Sequence, residues 1–268
     1  MAGVALSLSF LDADLRRSVS GRFAAFEGPG GVEGGGAAEP LRLSVEISES
    51  AGDASLRDLS VRCDGGVVHA ARSDLDGEFD TEAGCGALRI YPTDYPDVSL
   101  EAFLRFAVSV WALKHGAMLV HGAGVVSGGR GYAFIGKSGA GKSTLSKLAL
   151  TRRLTLLTDE IALLRRVNGR WWIAGTPFSG EVTEAASPGP APLAAVTLIR
   201  KSADMRVGRP RRGSEMRQLM RNILMFGAPA PLMSNLLHSA LLLLSEVGLK
   251  TMHFRPEPGV WELIDDLS

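Results

Sequence analysis

The sequence predicts an α/β fold in two parts, a strand-rich N-terminal region over residues 1–97 and a core of strands and helices over residues 98–268. Three observations lead to this prediction. Short runs that alternate in polarity or are rich in β-branched residues fill the first part. Apolar residues then recur at helical spacing over residues 99–116. Finally, an apolar run, a glycine-rich stretch and a helix-favouring run follow one another over residues 131–153.

Five short runs predict the strands of the N-terminal region. They are "LSLSF", "LRLSVEIS", "LRDLSVRCD", "GVVHAAR" and "ALRIYP". Between the first two lies "GPGGVEGGG", at residues 28–36. We interpret this glycine cluster as a loop, because its spacing matches no phosphate-binding motif and no helix follows it.

A helix over residues 99–116 is expected to connect the two parts, with Ser99 as its N-cap and Gly116 as the residue beyond its end. Two strands around "SGGRG" then lead to the glycine-rich stretch. Further on, the Asn168-Gly169 pair predicts a hairpin with a type I′ turn. The late apolar stretch "NLLHSALLLLSEVGL" is shorter than the roughly 20 residues of a membrane span, so we interpret it as a helix that faces the core.

Composition argues against several classes of partner. Lys+Arg 29 balances Asp+Glu 29, so no overall field attracts nucleic acid or an anionic membrane, and we expect neither as a partner. The two cysteines, Cys63 and Cys85, cannot form a disulfide framework or a four-cysteine metal site. The opening residues lack the basic flank and cleavage pattern of a signal peptide. We therefore expect a cytoplasmic protein.

The glycine-rich stretch "GKSGAGKS" fits the pattern G-x-x-x-x-G-K-[ST]. Its glycines permit backbone angles that let consecutive N–H groups surround a phosphate. Its lysine supplies a positive charge to the β- and γ-phosphates, its serine hydroxyl binds Mg²⁺, and the helix that follows points its positive dipole end at the anion. The residues predicted to bind a nucleotide are Gly136, Lys137, Ser138, Gly139, Ala140, Gly141, Lys142, Ser143 and Thr144.

Two adjacent acids, Asp159 and Glu160, end an apolar run one helix after this loop. A carboxylate at a strand end can bind Mg²⁺ or accept the proton of an attacking hydroxyl. Adjacent residues on a strand point in opposite directions, so one acid could instead be exposed. His121, within the apolar "MLVHGAGVV", is either a hydrogen-bonded core residue or a catalytic group. The order of histidine, loop and acid pair favours the functional interpretation.

These three features, His121-Gly122, "GKSGAGKS" and Thr158-Asp159-Glu160, resemble the catalytic domain of the HPr serine kinase/phosphorylase family. The resemblance implies a P-loop core with a mixed sheet, distantly related in fold to ATP-dependent phosphoenolpyruvate carboxykinases. It also implies catalytic roles. Asp159 corresponds to the general base toward a serine hydroxyl, and His121 to the histidine that contacts this acid.

The same resemblance, which covers residues 117–182, implies the groups that hold the nucleotide and its metal. Lys142 corresponds to the catalytic lysine on the phosphates. The implied metal ligands are Ser143, Glu160 and Glu181.

Some positions depart from the bifunctional members of the family. Lys137 and Thr144 stand where those enzymes tend to carry acids, and their acidic pair is usually Asp-Asp. We therefore do not expect reverse phosphorolysis. The sequence is more similar to HPr-kinase-related proteins from gene clusters for ribosomally made peptides, including lasso-peptide tailoring kinases, in which the acceptor is a serine of the precursor.

The leading hypothesis is a kinase that uses ATP and Mg²⁺ to phosphorylate a serine-type hydroxyl of a peptide or small protein. Two alternatives stay open, a kinase for a small molecule such as free serine or a sugar, and a non-catalytic ATP-binding sensor. We expect a homo-oligomer and assign acceptor recognition to residues 1–97. The segment from Lys201 to Arg221 carries seven basic residues against two acids, and we predict that it contacts the acceptor or the phosphates rather than being solvated surface alone.

Overall fold

Two mixed sheets form the framework of this α/β fold. The structure is a computed structural model. The residues that it describes are 3–26, 39–178, 180–182, 187, 189–211, 213–226 and 230–267. The glycine cluster at residues 28–36, which we interpret as a loop, lies outside the described residues.

The N-terminal sheet contains the strands β1 (Leu6–Phe10), β2 (Leu41–Ile47), β3 (Ser60–Asp64), β4 (Val67–Arg72), β5 (Leu75–Asp80) and β6 (Cys85–Ile90). Their order is β1-β2-β6-β5-β4-β3; β2 is parallel to β1 and β6, and the other pairs are antiparallel. Along β2, Leu41, Leu43 and Val45 are buried, whereas Arg42 and Ser44 are exposed. This alternation covers one face of the sheet and leaves the other in water. The strand-rich character of the N-terminal region is therefore confirmed.

Helix α2 (Pro96–Lys114) packs against β5 and β6 and also contacts the second sheet. It begins earlier than expected, with Tyr95 as N-cap and a proline at the first helical position. The prediction of Ser99 as N-cap is wrong, because Ser99 lies inside the helix and its hydroxyl donates a hydrogen bond to Asp74. Gly116, with φ +66°, lies beyond the helix end as predicted.

The sequence prediction missed two elements of the N-terminal region, helix α1 (Ala13–Phe23) and strand β5. Helix α1 has few buried apolar positions, so its helical pattern is weak. Strand β5, "LDGEFD", has the acids and glycine that are typical of a turn. Its Gly77 is required by packing, because a Cβ there would lie 2.4 Å from the ring of Phe103 on α2.

The second sheet contains β7 (Ala117–Ser127), β8 (Arg130–Ile135), β9 (Thr155–Thr158), β10 (Ile161–Val167), β11 (Arg170–Ala174), β12 (Ala191–Lys201), β13 (Arg206–Gly208) and β14 (Lys250–Phe254). The strand order is β11-β10-β7-β8-β12-β14-β13, and β9 pairs with β7. Strand β12 is parallel to β8 and β14, and the other main pairs are antiparallel. Both predicted hairpins are present; Asn168 and Gly169 have φ +50° and +77°, as a type I′ turn requires.

The remaining helices are α3 (Lys142–Thr151), α4 (Glu215–Met220), α5 (Ala230–Glu246) and the 3₁₀ helices Ala24–Phe26 and Pro258–Leu267. Helix α5 contains most of the late apolar stretch. It buries Leu232, Leu236, Ala240 and Leu243, which lie three or four residues apart and so share one face. The prediction of a core-facing helix is confirmed. Among the described residues, every helix is too short or too polar to cross a lipid bilayer.

Neighbouring leucines of α5 offer a matched test of this packing. Leu236 is fully buried, whereas Leu237 is 44% exposed. We expect Leu236→Ala to lower the free energy of unfolding by about 2–5 kcal/mol, because it leaves a cavity in the core. Leu237→Ala should change it by less than about 0.5 kcal/mol. Urea denaturation of both variants checks this, and equal losses would contradict the orientation of the helix.

Candidate functional site

The glycine-rich loop runs from Gly136 to Gly141, between the end of β8 and the start of α3. Gly139 and Gly141 have φ +76° and +108°, which favour glycine. Gly141 also has no space for a side chain, since a Cβ there would lie 2.8 Å from the ring of Phe254. The predicted order of strand, loop and helix is confirmed, and the amino end of α3 faces the loop.

Lys142, the lysine of the motif, is only 8% exposed although it is charged. Its Nζ donates to the carbonyl of Gly136 at 2.9 Å and lies 3.5 Å from that of Lys137. Burial lowers the pKa of this ammonium, and the nearby carboxylate of Glu160 acts in the opposite direction. The loop therefore holds a cation close to its own backbone.

A cavity of about 430 Å³ opens beside the loop. Its lining residues are His121, Ser138, Gly139, Gly141, Lys142, Ser143, Thr144, Lys147, Asp159, Glu160, Gly180, Glu181 and Lys201. Gly136, Lys137 and Ala140, although predicted to bind a nucleotide, do not line it. Gly136 and Ala140 are buried, Lys137 is exposed, and the N–H of Ala140 donates to the carbonyl of Lys137 at 3.0 Å.

Asp159 and Glu160 both line this cavity, so neither acid is turned away from it. They lie in a bend between β9 and β10, where the alternation of a strand does not apply. Asp159 is 2% exposed. Its Oδ1 accepts a hydrogen bond from the N–H of Gly180 at 2.9 Å, and its Oδ2 accepts one from the N–H of Val182 at 3.0 Å. These two bonds fix the orientation of the carboxylate.

Gly180 lies where the two carboxylates meet. A Cβ at this position would lie 2.8 Å from Oδ2 of Asp159 and 2.8 Å from Oε2 of Glu160. Contacts this short are not found for real Cβ atoms, so a side chain here would displace one or both acids. The absence of a Cβ therefore lets both carboxylates face the same part of the cavity.

His121 contacts a different acid from the one that the resemblance implies. Its Nδ1 lies 3.9 Å from Oε1 of Glu160, which is the carboxylate beside the ring, rather than that of Asp159. The reason is the pairing of β7 with β10, in which His121 is opposite Ile161, the residue that follows Glu160. Burial and the charge of Lys142 lower the pKa of His121, and Glu160 acts against them. The ring lines the cavity and is not a core residue alone.

Glu181, expected as a further metal ligand, lies at the edge of the cavity. Its Oε2 accepts a hydrogen bond from Nζ of Lys147 at 2.8 Å. Lys147, and to a smaller extent the hydroxyl of Ser143, lower the pKa of this carboxyl group. Glu181 and Ser143 are therefore neighbours.

The oxygen donors of the cavity fit Mg²⁺. Within the described part of the chain, no group of three or more His, Cys, Asp or Glu residues forms a ready-made metal site. Mg²⁺ does not need one, because it keeps several waters and binds through one or two carboxylates together with substrate phosphates. The hydroxyl of Ser143 and the carboxylates of Glu160 and Glu181 line the same cavity and supply such donors.

Of the cavity's lysines, sequence analysis did not single out Lys147, and it named Lys201 only as the first residue of the basic segment 201–221. Lys147 lies on α3, and Lys201 ends β12, with its Cε 3.0 Å from where a Cβ of Gly141 would be. Lys201 belongs to the basic segment 201–221, but the other described basic residues of that segment, Arg206, Arg209, Arg211, Arg217 and Arg221, are exposed and do not line the cavity. Arg212 lies outside the described residues. Sequence analysis could not place Lys201 beside the loop, because this position depends on the parallel pairing of β8 with β12, which brings the ends of both strands to one edge of the sheet.

Comparisons with known proteins show similarity to solved structures but not to family models or curated sequences. No protein-family model matches the sequence. No curated protein matches it. Among solved structures, the Hpr(Ser) kinase/phosphatase from Coxiella burnetii aligns with 56% of this chain and 92% of its own, at 13% sequence identity and a TM-score of 0.31. Neither this identity nor this TM-score assigns the chain to a family.

The pKa of His121 provides a test of the cavity's electrostatics. We expect this pKa to lie below the ordinary value of 6.5. Lys142→Ala should raise it by removing a repulsive charge, and Glu160→Gln should lower it further. Above pH 6.5 this histidine is neutral in both the folded and the unfolded chain and does not change the free energy of unfolding. As the pH falls from 6.5 toward the lower folded pKa, the free energy of unfolding should decrease, because the unfolded chain binds the proton more readily.

NMR titration of the ring protons, assigned with His121→Gln, measures these shifts. Lys114→Ala, a change on α2 beside Glu82, is the control and should leave the pKa unchanged. A wild-type pKa above 6.5 would contradict the described surroundings of the ring.

Proposed function

We propose that this protein is a kinase that transfers the γ-phosphoryl group of ATP to a serine-type hydroxyl of a peptide or small protein, with Mg²⁺ as its metal. The main support for this proposal is that residues of the phosphate-loop motif and both acids of the pair line one cavity of about 430 Å³. A loop without acids would serve binding alone. The combination supplies both phosphate binding and a base for the acceptor.

The loop supplies the groups for the nucleotide phosphates. Its N–H groups and the amino end of α3 favour an anion. Lys142 donates to loop carbonyls in this structure, and rotation about its side-chain bonds would turn the ammonium toward a β- or γ-phosphate. Lys147 and Lys201 line the same cavity and add positive charge. Fixed cations of this kind stabilise the charge of a phosphoryl group during transfer.

Asp159 supplies the base. Each carboxylate oxygen accepts one backbone hydrogen bond. Each also has a further lone pair, which can accept a hydrogen bond from the hydroxyl group that is to be phosphorylated. Its orientation toward the cavity is fixed before a substrate arrives, which favours the proton transfer. The choice of a serine hydroxyl on a peptide or small protein comes from the sequence resemblance.

Ser143, Glu160 and Glu181 would hold the Mg²⁺, since all three residues carry oxygen donors and line the cavity. When bound, the metal supplies positive charge to the β- and γ-phosphates. His121 stands beside Glu160 and contributes to the charge balance of that carboxylate.

Transfer of radioactivity from γ-labelled ATP tests the proposal. Wild-type protein should label a serine-containing peptide or small protein, and Lys142→Ala should abolish both nucleotide binding and labelling. Asp159→Asn should keep ATP affinity but reduce transfer by about 10²–10⁴-fold, the loss expected of a missing base. Label released only as free phosphate would contradict the transferase proposal. Binding without turnover, unchanged by Asp159→Asn, would instead favour a sensor.

Gly180→Ala tests the geometry of the acid pair. The added methyl group cannot fit beside both carboxylates in their present positions. We therefore expect the rate of phosphoryl transfer to fall by about 10–100-fold, the loss that is usual when the surroundings of metal ligands are changed. ATP affinity should change less, because the phosphate loop is untouched. Gly259→Ala is the matched control, since a Cβ there meets nothing within 4 Å and the residue lies outside the cavity lining and the basic segment. Wild-type transfer by Gly180→Ala would show that the pair does not act from its observed position.

A further inference from the structure

Arg105 of helix α2 lies between two carboxylates, one on its own helix and one in the cavity. Its Nε donates to Oε1 of Glu101 at 3.0 Å, and its Nη2 lies 2.7 Å from the same oxygen. Its Nη1 lies 3.8 Å from Oε1 of Glu160. One guanidinium group therefore connects the helix to the acid pair.

The surroundings of Arg105 hold this guanidinium in place. Glu101 is 6% exposed and lies one helical turn before it, so the first ion pair is formed within α2 itself. The guanidinium carbon lies 5.9 Å from the ring centroid of Phe178, which is fully buried. Because α2 also packs on both sheets, the position of Arg105 is set by the core.

The two oxygens of Glu160 have different surroundings. Oε1 faces Arg105 at 3.8 Å and the ring of His121 at 3.9 Å. Oε2 faces Gly180, as does Oδ2 of Asp159. Arg105 and His121 thus lie beside one oxygen of this carboxylate, and the other oxygen lies beside Gly180 and the second acid.

We propose that Arg105 is a positioning residue, which holds Oε1 of Glu160 so that Oε2 stays beside Asp159 at the metal-binding side of the cavity. Glu101 anchors the guanidinium in this role. The planar fork of arginine suits the task, because one end can bond Glu101 while the other faces Glu160. The consequence for phosphoryl transfer rests on the proposed function, whereas the contact itself does not.

A double-mutant cycle between Arg105 and Glu160 tests the contact without any assay of activity. The free energies of unfolding of Arg105→Gln, Glu160→Gln and the double variant should be non-additive, since the two side chains share one ion pair. Additive changes would overturn the proposal. If Arg105→Gln does not fold, Arg105→Lys replaces it; lysine keeps a charge beside Glu101 but has no second arm for Glu160.

Metal affinity is the second measurement. Mn²⁺ binding in the presence of ADP, followed by electron paramagnetic resonance, should be about 10–100-fold weaker in Arg105→Gln, with a smaller loss in Arg105→Lys. Glu101→Gln should weaken it in the same direction. Lys114→Gln is the matched control: it removes one positive charge from the same helix, at the end that contacts Glu82, and should leave Mn²⁺ affinity unchanged.

Turnover separates failure of this proposal from failure of the proposed function. With labelled ATP, Arg105→Gln should lower kcat by about 10–100-fold and change the KM for ATP little. The loss should not add to that of Glu160→Gln if Arg105 acts through that residue. Wild-type Mn²⁺ affinity and kcat in both folded Arg105 variants would overturn the positioning role. An inactive wild-type protein would refute the kinase proposal, while the unfolding cycle and Mn²⁺ binding would still decide the role of Arg105.

Discussion

The register of strand β7 is the constraint on which the candidate site depends. On one side, Gly122 pairs with Ile135, the last residue of β8 before the phosphate loop. On the other side, His121 pairs with Ile161, which directly follows the acid pair. A shift by one residue would turn every side chain of β7 to the opposite face and separate these groups. Gly122 also permits the close pairing, since a Cβ there would lie 2.8 Å from the carbonyl oxygen of Phe134.

Charge balance is the second condition of the cavity. Three lysines and three carboxylates line it, and most of them already have a partner: Lys142 bonds loop carbonyls, Lys147 bonds Glu181, and Asp159 accepts from two backbone N–H groups. Of these groups, Lys142 and Asp159 are buried, and a buried charge is costly unless it has such partners. For Asp159, the two backbone N–H donors also hold the carboxylate in one orientation.

Helix α2 joins the N-terminal sheet to this site. It packs against β5 and β6, contacts β7 and α5, and belongs to a buried cluster whose residues come from both sheets. Gly77 lets the ring of Phe103 approach the sheet, and Arg105 on the same helix reaches Glu160. Helix α2 therefore lies in contact with the N-terminal sheet and, through Arg105, with one carboxylate of the acid pair.

Local patterns in the sequence were sufficient to predict several elements of the fold. The strand–loop–helix order, the hairpin at Asn168-Gly169 and the core-facing helix α5 follow from backbone preferences and apolar periodicity, which act between near neighbours. Tertiary structure decided the rest, because it depends on pairing between distant residues. Strand pairing placed His121 beside Glu160 rather than Asp159, and the parallel ends of β8 and β12 brought Lys201 to the loop. Gly180 and Arg105 carried no motif in the sequence; their importance arises only where the folded chain brings them against the two carboxylates.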